Sequence, residues 1–189
     1  MPNGLNTDAI KLADTPYENR HNDCLMFGWL YKIKGVDLCV QAHRLLDNKH
    51  RTAIVGKLDT AETVYAEFGE VENLEVISPV TDVNQLYGNT KCFLHISRAE
   101  GLSYALLEAI YAGLPIVCSN IKENMFAEVF PTVTMVESEN VQSIADGMQR
   151  VMEKGQPTQD EVAAARKIID EQYSIACWTN TILKYYGIE

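Results

Sequence analysis

Six short apolar runs, separated by stretches with helical spacing, constrain the fold of this chain more than any other feature. They cover residues 25–29, 52–55, 74–77, 92–96, 116–119 and 133–136. Each has the length of a buried strand and is too short for a core helix. Between them, Leu38, Cys39, Ala42, Leu45 and Leu46 fall on one helical face. Val83, Leu86 and Tyr87 fall on another, and residues 60–68 read as a further helix. Strands alternating with helices predict βαβ units joined by right-handed crossovers. The expected fold class is therefore α/β, a single Rossmann-like, doubly wound, mostly parallel six-stranded sheet. Ligands of such sheets bind outside the carboxyl ends of the strands.

The tail extends this frame with extra C-terminal helices. Val141, Ile144, Ala145, Met148, Val151 and Met152 keep helical spacing. Thr158 followed three residues on by Glu161 is a capping-box start. Ser174 is placed to cap a last helix carrying Ile175, Trp178, Ile182 and Tyr185 on one side. At the other end, residues 1–22 are polar and turn-rich and read as a hinge or linker, leaving 23–189 as one domain. There is no internal repeat.

Bulk properties exclude several functions. The formal net charge of −10 disfavours nucleic acid as a partner, because phosphate binding needs basic surface. No apolar run approaches a membrane span. The opening Met1, Pro2, Asn3, Gly4 is polar, so no signal peptide is expected. Five cysteines include no C-x-x-C pair and mostly lie in apolar patterns. They read as buried free thiols, which suits a reducing, cytoplasmic setting. The four histidines show no metal spacing with them, so no metal site is expected. No G-x-G-x-x-G follows the first strand, which argues against a dinucleotide dehydrogenase.

Candidate chemistry concentrates after the fourth run. Glu100 and Glu108 stand eight positions apart, the first in the loop leaving the strand, the second in a helix that begins near Ser103. Gly113 and Pro115 stop that helix. Glu108 lies about a turn and a half from its start, still near the loop. Leu106, Leu107, Ala109 and Ile110 surround it, and a carboxylate in such apolar company needs a partner or a ligand. Two carboxylates that can bind hydroxyls thus converge on helix N–H groups that can bind phosphate.

These residues carry a resemblance. Glu100, Gly101, then Leu107, Glu108, Ala109, and the run Ala112, Gly113, Leu114, Pro115, Ile116, Val117, Cys118, Ser119 resemble the retaining glycosyltransferases of the GT4 family. Gly28, Trp29, Leu30 followed by Lys34, Gly35 resembles the family's Gly-Arg-Leu…Lys-Gly segment. Residues 2–7, Pro, Asn, Gly, Leu, Asn, Thr, resemble the hinge at which the second of two facing domains begins. The resemblance implies one half of a GT-B fold, a nucleotide-sugar-binding domain over 23–189 with the N-terminal acceptor domain absent. It implies a hexosyltransferase type of enzyme, the chain alone being inactive.

Glycosyl transfer from a nucleotide sugar builds negative charge on the leaving diphosphate, so cations and N–H dipoles belong there. The resemblance assigns Lys34 as that cation and Glu100 to the donor sugar's hydroxyls, these two being the catalytic pair. Gly101, Leu102 and Ser103 would offer backbone N–H groups to the phosphates, with the Ser103 side chain also read as a helix cap. Glu108 would take the ribose hydroxyls. Gly28 lies at the same strand end, and Pro79 with Val80, after the third strand, would lie beside the base or simply form a turn. The expected donor is a UDP- or GDP-linked sugar, used without metal or other cofactor. The expected setting is bacterial surface polysaccharide or glycolipid assembly, with peripheral membrane association of a full-length parent left open.

Trp29 departs from the family pattern, which has an arginine there. Losing one charge-assisted contact costs ~1.5–3 kcal/mol of leaving-group stabilisation. Lys32 and Lys57 are nearby in sequence, and both also read as surface lysines. Trp29 reads equally as a stacking platform for a sugar or base and as a core-edge tryptophan. Two rival functions remain open. A nucleotide-sugar 2-epimerase shares the architecture but needs a cleft histidine or carboxylate set, and none is legible. A non-catalytic nucleotide-sugar-binding partner is the other, supported by Trp29.

Overall fold

The computed structural model describes residues 4–12 and 14–188. Pro2 and Asn3 of the hinge-like run lie outside the described residues. Six strands form one sheet: β1 (Asn22–Phe27), β2 (Thr52–Val55), β3 (Leu74–Ile77), β4 (Thr90–His95), β5 (Ile116–Ser119) and β6 (Val133–Val136). Their order is β3-β2-β1-β4-β5-β6 and every pairing is parallel. The chain winds outward from β1 to β3, then crosses back to β4 on the other side of β1. The crevice at the carboxyl ends of β1 and β4 is thus the switch point of the sheet, where α/β proteins bind ligands.

Helices alternate with the strands: α1 (Tyr31–Lys34), α2 (Val36–Leu45), α3 (Leu58–Phe68), α4 (Asn84–Gly88), α5 (Tyr104–Tyr111), α6 (Val141–Lys154), α7 (Gln159–Gln172) and α8 (Ile175–Tyr186). A 3₁₀ segment, Lys122–Val129, joins β5 to β6. Successive strand residues face opposite sides. Leu25, Phe27, Phe93 and Ile116 therefore join a core with Leu106, Leu107 and Ile110 of α5 and Ile169 of α7. Met26, Ile54, Leu94 and Val117 join the other core with Val36 and Val40 of α2 and Met148 of α6. Both faces of the central strands are covered, which explains why those strands read as unbroken apolar runs.

Two helix starts form as their sequences dictate. Thr158 and Glu161 make the reciprocal capping box of α7, and Ser174 caps α8 through the Cys177 N–H. Four of the five cysteines are buried and all are free. Among the described residues no helix is long and apolar enough to cross a membrane.

Strands β1 and β4 differ from the sequence reading at both ends. β1 ends at Phe27, not at Trp29, whose ring stacks on Phe27 beyond the strand end. Both β1 and β4 begin earlier, on polar residues: Asn22 pairs with Thr90 in the sheet. The segment before β1 also packs onto the domain. Leu5 is buried, its N–H donates to the Tyr173 carbonyl at 2.7 Å, and its own carbonyl accepts from Ile175. The Arg20 guanidinium is buried and donates to the carbonyls of Thr15 and Thr90.

Candidate functional site

Three segments meet at the carboxyl edge of the sheet. The segment after β1 carries Gly28, Trp29 and, at the end of α1, Lys34; the loop after β4 carries Glu100 to Ser103; the loop after β3 carries Pro79 and Val80. Gly28 continues the sheet by one bond, donating to the Val55 carbonyl at 2.8 Å. A side chain there would press to 2.7 Å against Val36 and 2.8 Å against Ile54, so the position demands glycine.

Lys34 and Glu100 meet. Lys34 Nζ lies 2.6 Å from Glu100 Oε1, and their side chains are only 16% and 8% exposed. The pair joins residues 66 apart in sequence and bridges the segments after β1 and β4. Behind Glu100 sits His95, the last residue of β4. Its Nε2 lies 3.5 Å from the same Oε1 and, although buried, has no hydrogen-bond partner. Burial drives the His95 pKa down to about 4; Glu100 opposes that shift and Lys34 adds to it. The imidazole is therefore neutral at neutral pH. Cys118, its neighbour across the sheet, is pushed up to about 12 by burial and then by the charge of Glu100.

The loop continues into α5. A Cβ at Gly101 would meet nothing within 4 Å, so the protein's own packing does not require glycine there. Leu102 is half-buried. Ser103 is buried and its hydroxyl accepts from the Leu106 N–H, which makes it the helix cap. The first N–H groups of α5 remain without intrahelical partners, as at any helix start. One turn on, the half-buried Glu108 accepts from the Tyr87 hydroxyl at 3.1 Å. Burial raises the Glu108 pKa, and the Tyr87 hydrogen bond pulls against that rise. Tyr87 belongs to an aromatic cluster with Phe27 and Phe93, and Phe27 carries Trp29 at 5.5 Å. Trp29 is stacked on one face and 39% exposed. Pro79 and Val80 are exposed at the third strand end.

The structure thus brings Lys34, Glu100 and the start of α5 together, with Glu108 one turn further along that helix. It does not bring Lys32 to this group: its ammonium is engaged by Asp37 at 3.1 Å and Glu67 at 3.4 Å. Lys57 is exposed at the start of α3. A surface hollow lined by Val64, Tyr65, Val71 and Leu74 among others, along edge strand β3, shares no residue with the site.

Sequence reasoning gave no role to four residues here. His95 lies hidden in an apolar strand run and is buried behind Glu100, so it does not line the cleft. Tyr87 read as a core position. Arg98 and Asp37 form a bidentate pair at 2.8 and 3.0 Å, with Asp37 buried. Arg98 also donates to the Lys32 carbonyl, and its backbone N–H donates to the Ile33 carbonyl at 2.8 Å. Gly35, at φ 74, packs so closely on the Ile96 carbonyl that no side chain fits.

Chemically, an ammonium beside a helix start suits an anion with several oxygens. Two carboxylates near it suit hydroxyl groups.

Residues 21–154 match the family described as glycosyl transferases group 1. A putative glycosyltransferase, ORF31 of a virus isolated in Victoria, Australia, is 25% identical over 129 residues, covering 65% of this chain and 40% of that protein. Anabaena Alr3699/HepE, solved in complex with UDP, superposes with a TM-score of 0.80 at 16% identity, over 97% of this chain and 56% of that one. The C-terminal domain of a group 1 family protein, LpcC of Francisella tularensis, superposes at a TM-score of 0.69 and 18% identity, over 91% of this chain and 100% of that domain. The chain thus spans about half the length, or less, of the two longer proteins.

Proposed function

The chain belongs to the group 1 glycosyltransferases, and from that premise we propose that it is the donor-binding half of a transferase acting on a nucleoside diphosphate sugar. It has the fold of one half of a GT-B protein. In this reading Lys34 and the first N–H groups of α5 hold the diphosphate and stabilise the charge that grows on it as the sugar leaves. Glu100 orients the sugar's hydroxyls and Glu108 the ribose hydroxyls. Gly101 leaves room for the phosphates, and Pro79 and Val80 flank the base. Trp29 offers its exposed face for stacking. The sugar passes with retention, and without a metal, to an acceptor held by the facing half; this chain alone is inactive in transfer. HepE was solved with UDP and with UDP-glucose, which supports a uridine donor. Assembly of bacterial surface polysaccharide or glycolipid is the setting we favour.

The observation that carries the proposal is the 2.6 Å Lys34–Glu100 pair at the mouth of the switch-point crevice. Calorimetry of this chain with UDP, UDP-glucose, GDP and GDP-mannose tests it. At least one ligand pair should bind. Lys34→Ala should weaken that binding at least tenfold, the loss of one charge-assisted contact of ~1.5–3 kcal/mol. Glu108→Ala should weaken it by a similar factor. Equal binding by the parent sequence and Glu108→Ala would remove the ribose role.

One observation favours a second reading, a nucleotide-sugar-binding partner that does not catalyse. Trp29 brings no charge where the family has arginine. Turnover by a full-length protein containing this chain, insensitive to EDTA and lost on Lys34→Ala, would exclude that reading.

A further inference from the structure

His95 holds the least explained polar atom of the site. Its ring is 5% exposed and stacks on Phe93; Nε2 lies 3.5 Å from Glu100 Oε1 and makes no well-formed hydrogen bond, while the Asn124 side chain interacts with the ring and raises its pKa. The groups packed around it are Lys34 from α1, Glu100 from the loop after β4, Cys118 from β5 and Asn124 from the 3₁₀ segment. Asn124 donates to Ser119, while its own Oδ1 is likewise buried and unpartnered. Such groups are uncommon, because an unmade hydrogen bond in the interior is costly.

Glu100 has the complementary problem. Its buried carboxylate rests on one cation, Lys34. An ammonium has three N–H donors, and a bound diphosphate competes for them. A carboxylate left buried without a full partner is unfavourable. The nearest idle donor is the neutral imidazole, which a movement of about half an ångström would bring into hydrogen-bond range of the carboxylate.

We propose that His95 is a positioning residue for Glu100, its idle Nε2–H taking up the carboxylate as a donor's diphosphate draws the Lys34 ammonium away. Glu100 then keeps its orientation toward the sugar while Lys34 serves the phosphates. No covalent bond changes. The inference rests on the donor site assigned above and adds a residue to it.

The test is a double-mutant cycle read by calorimetry with UDP and UDP-glucose, or with GDP and GDP-mannose if those bind. His95→Phe keeps the ring stack and removes the N–H; it should weaken nucleotide binding about tenfold. His95→Gln restores a donor and should recover most of that affinity. In a Glu100→Gln background, where no charge needs a second partner, His95→Phe should cost nothing further. Imidazole ¹⁵N resonances of the unmodified chain should report a newly hydrogen-bonded Nε2–H on addition of the nucleotide. An undiminished His95→Phe effect in the Glu100→Gln background overturns the inference, as does Gln behaving like Phe. Nucleotide binding that ignores His95 altogether also overturns it and leaves the donor site standing. A chain that binds none of the four ligands defeats the donor site itself.

Discussion

The two ends of the site treat a carboxylate in opposite ways. At one end Glu100 is nearly buried, ion-paired to Lys34 and backed by His95. At the other Glu108 is half-buried among apolar residues, with only a neutral tyrosine hydroxyl for company. The first is compensated before any ligand arrives; the second keeps a raised pKa. The difference separates two tasks. A compensated charge is rigid and orients what it touches, whereas a poorly compensated one gains most when a ligand's hydroxyls donate to it.

That contrast can be broken from the compensated end first. Lys34→Ala leaves Glu100 buried without its cation and should destabilise the fold by about 3 to 4 kcal/mol. Adding Glu100→Gln should restore much of that loss. Denaturant midpoints at fixed m-value measure both, and a loss below about 1 kcal/mol would mean the pair is solvated in practice.

Acid supplies the next effect. The unfolded His95 imidazole takes a proton near its ordinary value of 6.5, while the folded one resists until about 4. Between those values the unfolded state binds the extra proton, so stability falls as pH falls, by about 3 kcal/mol over the whole interval. His43 and His50, also lowered by burial, act in the same direction. Glu108, raised by burial, offsets part of the loss just above the ordinary carboxylate range. Unfolding curves at pH 7, 6 and 5 should therefore slope downward into acid, and His95→Phe should flatten that slope by one proton's worth.

The smallest effect belongs to the uncompensated end. Tyr87→Phe removes the hydrogen bond that the Glu108 carboxylate accepts from Tyr87 while keeping the ring in its cluster with Phe27 and Phe93. It should cost about 1 kcal/mol of stability. If it costs as much as Lys34→Ala, the two ends are not different in kind.

The sheet was legible where its strands are short, apolar and bounded by polar residues: β2, β3, β5 and β6 fall where their runs predict. Asn22 and Thr90 start β1 and β4 with polar side chains, which no apolar run can announce. Trp29 extended a run that the backbone had already left, because a tryptophan packs as well on its own strand's end as within it. In the candidate site, the placement of Glu100 and Glu108 near one helix start was legible through their spacing, whereas Lys34 was singled out by the family resemblance. The partners His95 and Tyr87 were not legible. His95 faces Glu100 only because β4 ends where it does, and Tyr87 reaches Glu108 from a helix distant in sequence. The Arg98–Asp37 pair spans 61 positions, and nothing local in either residue's neighbours announces the other.

That last pair has a practical consequence for anyone reshaping the specificity of such a protein. Arg98 holds Asp37 and two carbonyls of the Tyr31–Lys34 turn, and Gly35 leaves no gap beneath Ile96. Ammonium and acid are thus mounted on a common bracket. A chimera that imports one segment without its mate inherits a mismatched seam, so both must be transplanted in a single step.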